Sequence, residues 1–194
     1  MRKKRRICWR LSADFSVHSL GRRFKENGFG MIVSFDLDDT LYVSAEKFRT
    51  EAKLRFPWNK IYKERLRLGT IELFERLYSE GIETWIYTTS FRSERYIRHL
   101  FQHYGIKVSQ VINGYRHMKE VQGSRSEPMP SKYPAKYRID LHIDDDVSVL
   151  ANGKTYGFKV YLIGPPDDDW VEKIMNEVIR IRNLSENPTI SGRR

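Results

Sequence analysis

Cysteine is all but missing: Cys8 stands alone in a chain of 194 residues. One thiol makes neither an internal disulfide nor a thiolate metal cage, so a reducing, cytoplasmic setting is expected. Long apolar runs are missing as well. None approaches the roughly 20 residues that a membrane span requires, and the basic N-terminus leads into no continuous apolar stretch of the secretory kind, so no membrane partner is expected. A third lack is hidden by the formal net charge of +10. Residues 1–30 hold nine Lys and Arg against Asp14 and Glu26, whereas the rest of the chain carries 26 basic and 23 acidic residues, Arg193 and Arg194 among the former. The body of the protein therefore has almost no excess of charge, which argues against a basic folded surface that grips nucleic acid.

What is present is enough apolar material for one core. An apolar content of 40% with 13% aromatics excludes full disorder, and the length suits a single domain. Residues 1–30 lack sustained periodicity and end in the turn-prone Asn27-Gly28-Phe29-Gly30. They read as a basic, disordered tail, with Met31 as the expected natural start. Residues 185–194 read as a flexible C-terminal tail.

Between the tails, short apolar runs alternate with helical periodicity. Strands are expected at 31–35, 83–87, 108–113, 139–143 and 158–163. Ile71, Phe74, Leu77 and Tyr78 recur at helical spacing, as do Tyr96, Ile97, Leu100, Phe101 and Tyr104, each set stopped by a glycine. A last helix is expected from Trp170 to about Arg182. This alternation predicts an α/β fold over residues 31–184: a doubly wound, Rossmann-like, parallel five-stranded sheet. Residues 114–138, rich in Gly, Ser, Pro and basic side chains, read as one long loop.

In an open parallel sheet, sites form at the carboxyl ends of the strands. Asp36-Leu37-Asp38-Asp39-Thr40 follows the first strand, Thr88-Thr89-Ser90 the second and Asp144-Asp145-Asp146 the fourth. Carboxylates crowded on one edge repel each other, so either their pKa values rise or a cation sits among them. A cysteine-free, oxygen-rich cluster suits Mg²⁺.

Phe35-Asp36-Leu37-Asp38-Asp39-Thr40-Leu41 resembles the first motif of the haloacid dehalogenase (HAD) superfamily of phosphatases and phosphotransferases. The strand that ends in Thr88 resembles the second motif, Lys132 or Lys136 the third, and Asp144-Asp145 the fourth. The resemblance implies a HAD-like phosphatase with a minimal cap, and a phosphorylated small molecule or macromolecule as substrate. It implies Asp36 as the nucleophile that forms an aspartyl phosphate and Asp38 as the general acid and base. Thr88, Thr89 and Lys132 would bind phosphate, and Asp36, the Asp38 backbone carbonyl, Asp145 and Asp144 would form the Mg²⁺ site. The chain between motifs leaves no room for a large cap, so residues 42–60 and 114–138 are expected to shape an open site. Two other classes compete: a phosphoacceptor receiver domain, whose Thr and Lys should follow the acceptor Asp, and a catalytically silent domain that binds a phosphorylated ligand or nucleic acid.

Other clusters have plainer readings. Asp167-Asp168-Asp169 precedes an amphipathic helix and is expected to cap it, as is Asp146 for the helix after it. Arg92 and Ser93 sit at another helix start, where capping is expected over anion binding. His99 and His103 have zinc-like spacing but share a polar face with Arg95 and Arg98, so a solvated face is expected. Asn152-Gly153-Lys154-Thr155 lacks the first glycine of a phosphate-binding loop.

Overall fold

The computed structural model describes residues 30–164 and 166–186. The expected basic tail, apart from Gly30, and residues 187–194 of the expected C-terminal tail lie outside the described residues.

Short segments rich in apolar residues make the strands. They are β1 (Ile32–Phe35), β2 (Glu83–Tyr87), β3 (Gln110–Ile112), β4 (Leu141–Asp144) and β5 (Val160–Leu162). All neighbours pair in parallel in the order β3-β2-β1-β4-β5, the doubly wound arrangement that the alternation predicts. Four strands differ from expectation at their ends, β1 only in starting at Ile32 rather than Met31. β3 and β5 are shorter than the apolar runs around them, and β4 starts later and takes in Asp144 as its last residue.

Helices α1 (Trp58–Ile61), α2 (Thr70–Ser79), α3 (Glu94–His103), α4 (Gly114–His117), α5 (Val147–Tyr156) and α6 (Trp170–Glu186) complete the fold. Among the described residues no helix is long and apolar enough to cross a membrane. Side chains alternate along each strand, so each strand serves two cores. Val33, Phe35, Ile86, Val111, Leu141 and Ile143 pack with Leu73 and Leu77 of α2, Ile97 and Phe101 of α3, and Ile174 and Val178 of α6. Tyr78, expected on the buried face of α2, is 67% exposed. The opposite face of the sheet holds a smaller cluster of Tyr87, Ile112 and Ile139.

That second face corrects the reading of residues 114–138 as a long loop. The segment holds α4, a π-helical turn (Met118–Gln122) and a 3-10 turn (Pro134–Tyr137), and it buries Val121, Lys132 and Pro134. Its Gly, Ser and Pro content masked these turns because each is too short to show periodicity.

Residues 36–69, between β1 and α2, form a small excursion with the single helical turn α1. It is closed by isolated bridges from Tyr42 to Leu66 and Thr50 to Arg67. No large cap is present in this stretch. It also supplies an end for α2, whose N-cap position is Gly69 at φ +91° without a side chain to cap. Glu51 Oε1 instead accepts from the backbone N–H of Gly69 at 2.9 Å and Ile71 at 3.2 Å.

Candidate active site

Phe35 pairs with Ile86 on one side and Ile143 on the other. The residues one step further, Asp36, Tyr87 and Asp144, therefore reach the same edge, where the strand order reverses between β1 and β4. This is the place where open α/β sheets bind ligands.

Asp36 and Asp144 are both buried, and Lys132 comes down between them from the segment covering the second face. Its Nζ lies 2.9 Å from Asp36 Oδ1 and 2.6 Å from Asp144 Oδ2. Lys136, the alternative for the same motif, hydrogen-bonds the Glu120 carbonyl instead. Burial alone would lower the Lys132 pKa, but the two carboxylates outweigh it and hold the ammonium charged.

The two carboxylates have opposite fates. Burial pushes Asp36 up to about 6 despite Lys132. Burial acts on Asp144 too, yet His142 and Lys132 outweigh it and hold Asp144 down at about 2. His142, fully buried, is itself kept neutral by desolvation. Its Nε2 is 2.8 Å from Asp144 Oδ2, and its Nδ1 is 2.8 Å from Ser34 Oγ. An ionised carboxylate only accepts, so Nε2 carries the proton and Nδ1 accepts from the Ser34 hydroxyl. Sequence reasoning missed His142. The alternation in Leu141-His142-Ile143-Asp144, which puts His142 and Asp144 on one face, was the signal available.

Carboxylate oxygens of Asp36, Asp144 and Asp145 come within 4.8 Å of one another. Three carboxylates facing one ammonium leave an excess of negative charge in the cluster. The donor set is all oxygen and fits a hard divalent cation. Within it the carboxylates are unequally free. Asp144 Oδ2 is shared by Lys132 and His142, and its Oδ1 accepts from the Asp146 N–H at 2.9 Å. Asp145 has one oxygen engaged, by the Thr40 hydroxyl at 2.9 Å. Asp36 and Asp145 are thus the carboxylates with lone pairs to offer.

A cleft of about 610 Å³ opens beside this group, lined by Asp36, Thr89, Ser131, Lys132, Asp144, Asp145 and Val147. Thr88 is buried at the end of β2, with its hydroxyl oxygen accepting from the Ser90 N–H at 3.1 Å. Thr89 is the one of the pair that lines the cleft. Asp38 stands on the outer side with its side chain 51% exposed and its Oδ2 2.9 Å from Arg92 Nη1.

The remaining candidates fall largely as expected. Asp146 caps α5 and Ser93 caps α3 through side-chain bonds to Ser148 and Tyr96 N–H groups. Asp167, expected to cap α6, instead accepts from the Asp169 N–H at 3.0 Å in the turn before the helix and from Lys173 Nζ at 2.6 Å. The expectation of a solvated His103 is wrong: its ring stacks on Trp58 at 4.1 Å between centroids, because the excursion after β1 folds against α3.

No protein-family model and no curated protein matches the chain. Among solved structures it is similar to an uncharacterised protein from Listeria monocytogenes serotype 4b, at 14% identity over 79% of this chain and 99% of that one, with a TM-score of 0.49. It is also similar to a HAD-superfamily hydrolase, subfamily IA, variant 1, from Geobacter sulfurreducens PCA (14% identity, 69% and 89% covered, TM-score 0.43). A third is the cobalt-bound deoxy-D-mannose-octulosonate 8-phosphate phosphatase from Haemophilus influenzae (13% identity, 81% and 92% covered, TM-score 0.42).

Proposed function

We propose that this HAD-like α/β domain is a Mg²⁺-dependent phosphatase that hydrolyses phosphomonoesters through an aspartyl phosphate on Asp36. The observation that carries the reading is the placement of Lys132 Nζ between Asp36 and Asp144, with Asp145 beside them. A carboxylate nucleophile needs its own charge and that of the incoming phosphate balanced, and this cluster offers one fixed ammonium and a cation-ready set of oxygens. Asp36 and Asp145 would hold Mg²⁺. When bound, the ion supplies neutralisation of phosphoryl oxygen charge.

In the first step Asp36 Oδ attacks phosphorus. The Asp36–phosphorus bond forms while the bond to the leaving oxygen breaks, and Asp38 gives that oxygen a proton. In the second step Asp38 takes a proton from water, whose oxygen attacks phosphorus, and the acyl phosphate bond breaks to return Asp36 and release phosphate. Lys132 stays charged throughout, and Thr88 and Thr89 supply hydroxyls at the phosphate end. The open cleft and the small excursion suit phosphorylated macromolecules as well as small phosphate esters.

Turnover of an activated aryl phosphate with Mg²⁺ is the direct test. The wild type should hydrolyse it, Asp36→Asn should abolish both turnover and covalent phosphate, and Asp38→Asn should slow hydrolysis about 10²- to 10⁴-fold. Mass spectrometry of quenched Asp38→Asn should find phosphate on Asp36. Phosphate on another residue, or an Asp36→Asn variant as active as wild type, rejects the mechanism.

A further inference from the structure

Arg92 lies four residues beyond Thr88, at a helix start where the sequence favours capping over anion binding. The structure gives it a densely tied environment. Its N–H and its Nη1 both reach Ser90 Oγ, at 3.2 and 2.8 Å, and its carbonyl accepts from Asn113 Nδ2 at 2.9 Å. Nε donates to Glu64 Oε1 at 3.1 Å, and the guanidinium lies over the Tyr42 ring, 5.5 Å from its centroid. Glu64 is fixed in turn by the Tyr96 hydroxyl on its other oxygen, at 2.5 Å. Nη1, besides reaching Ser90 Oγ, donates to Asp38 Oδ2 at 2.9 Å.

Two explanations compete with a role in the reaction. A stabilising role is weak, because an ion pair with a half-exposed partner adds little to stability. A role as phosphate receptor is also weak, because a guanidinium already shared by two carboxylates sits in a net negative setting that disfavours another anion. What the arrangement does achieve is to hold one rotamer of an otherwise exposed aspartate. Proton transfer depends on such placement, since a shift of about 1 Å in a reacting group costs on the order of 10²-fold.

We propose that Arg92 is a positioning residue that tethers the Asp38 carboxylate, and that Glu64 anchors the tether from the excursion after β1. The proposal rests on the phosphatase reading, in which Asp38 handles the proton. The excursion thereby has a part in the chemistry, because it holds no large cap and yet fixes the acid/base group through Glu64. The signal was absent from the sequence because Arg92 is 54 residues from Asp38 and 28 from Glu64.

A double-mutant cycle on the full chain tests it, with an activated aryl phosphate and Mg²⁺ as the assay and thermal melts to verify folding. Arg92→Met should lower kcat about 10- to 100-fold and leave KM within about threefold. Arg92→Lys, which keeps the charge but not the fork, should fall between that variant and wild type. In an Asp38→Asn background the Arg92→Met change should cost less than about threefold, because a residue that acts only through Asp38 has nothing left to position. An equal loss in both backgrounds, or a loss carried mainly by KM, overturns the tether and assigns Arg92 to substrate contact or folding. If Arg92→Met does not fold, Arg92→Lys decides, and a kcat equal to wild type overturns the proposal. An active wild type with an indifferent Arg92 removes only the tether, whereas a wild type without turnover removes the phosphatase reading and the tether together.

Discussion

Asp36 is where burial and ion pairing pull apart most clearly. Burial lifts its pKa from 3.8 to about 6, above its value in the unfolded chain. The folded state therefore binds this proton more tightly, so the associated stability is full below about pH 4 and is lost as pH rises through about 6. At pH 7 the ionised carboxylate costs the fold on the order of 2–3 kcal/mol. Asp36→Asn removes that charge while Lys132 keeps Asp144 as a partner, so in metal-free buffer at pH 7 the variant should melt at a higher temperature than wild type. The gap should close toward pH 4, where wild-type Asp36 is protonated. Melting curves across that range check it, and a lower melting temperature at pH 7 would show that the pairing with Lys132 outweighs desolvation. Asp144, on the same edge, shows the opposite balance because His142 and Lys132 both donate to it.

At the level of elements, helix α2 illustrates how a stretch with good periodicity still depends on distant chain. Its apolar face was readable, but no Ser, Thr, Asp or Asn stands at its N-cap, and Gly69 at φ +91° supplies only the turn. A Cβ there would also fall 2.7 Å from Val171 of α6. Glu51 completes the N-terminus by accepting two backbone N–H groups and complementing the helix dipole. Glu51→Ala should therefore behave like loss of an N-cap and cost about 1 kcal/mol in urea unfolding. A change below a few tenths would mean that water replaces the carboxylate at no penalty. The turns over 114–138 show a related dependence. They are invisible to periodicity, yet they bring in Lys132, and Tyr87 of β2 fixes its neighbour by accepting from the Tyr133 N–H at 2.8 Å.

For the molecule as a whole, a cation that binds the folded state and not the unfolded chain must raise its stability by mass action. At about 100 times its dissociation constant, Mg²⁺ should add about 2.7 kcal/mol, EDTA should reverse the gain, and Asp145→Asn should remove it. A melting temperature insensitive to millimolar Mg²⁺ and to EDTA would contradict the assignment of the carboxylate cluster. The class of fold and the edge where the carboxylates gather were legible in local sequence. Short strands rich in apolar residues and the polar residues that end them, Asp36, Thr88 and the Asp144-Asp145 pair, are local in sequence. Tertiary structure decided the partnerships. Lys132 rather than Lys136 meets Asp36, Ser34 finds His142 across 108 residues, and Arg92 joins Asp38 to Glu64. Those contacts depend on the order and register in which strands align, and on the path of segments too short or too irregular to carry a period. No local pattern encodes them.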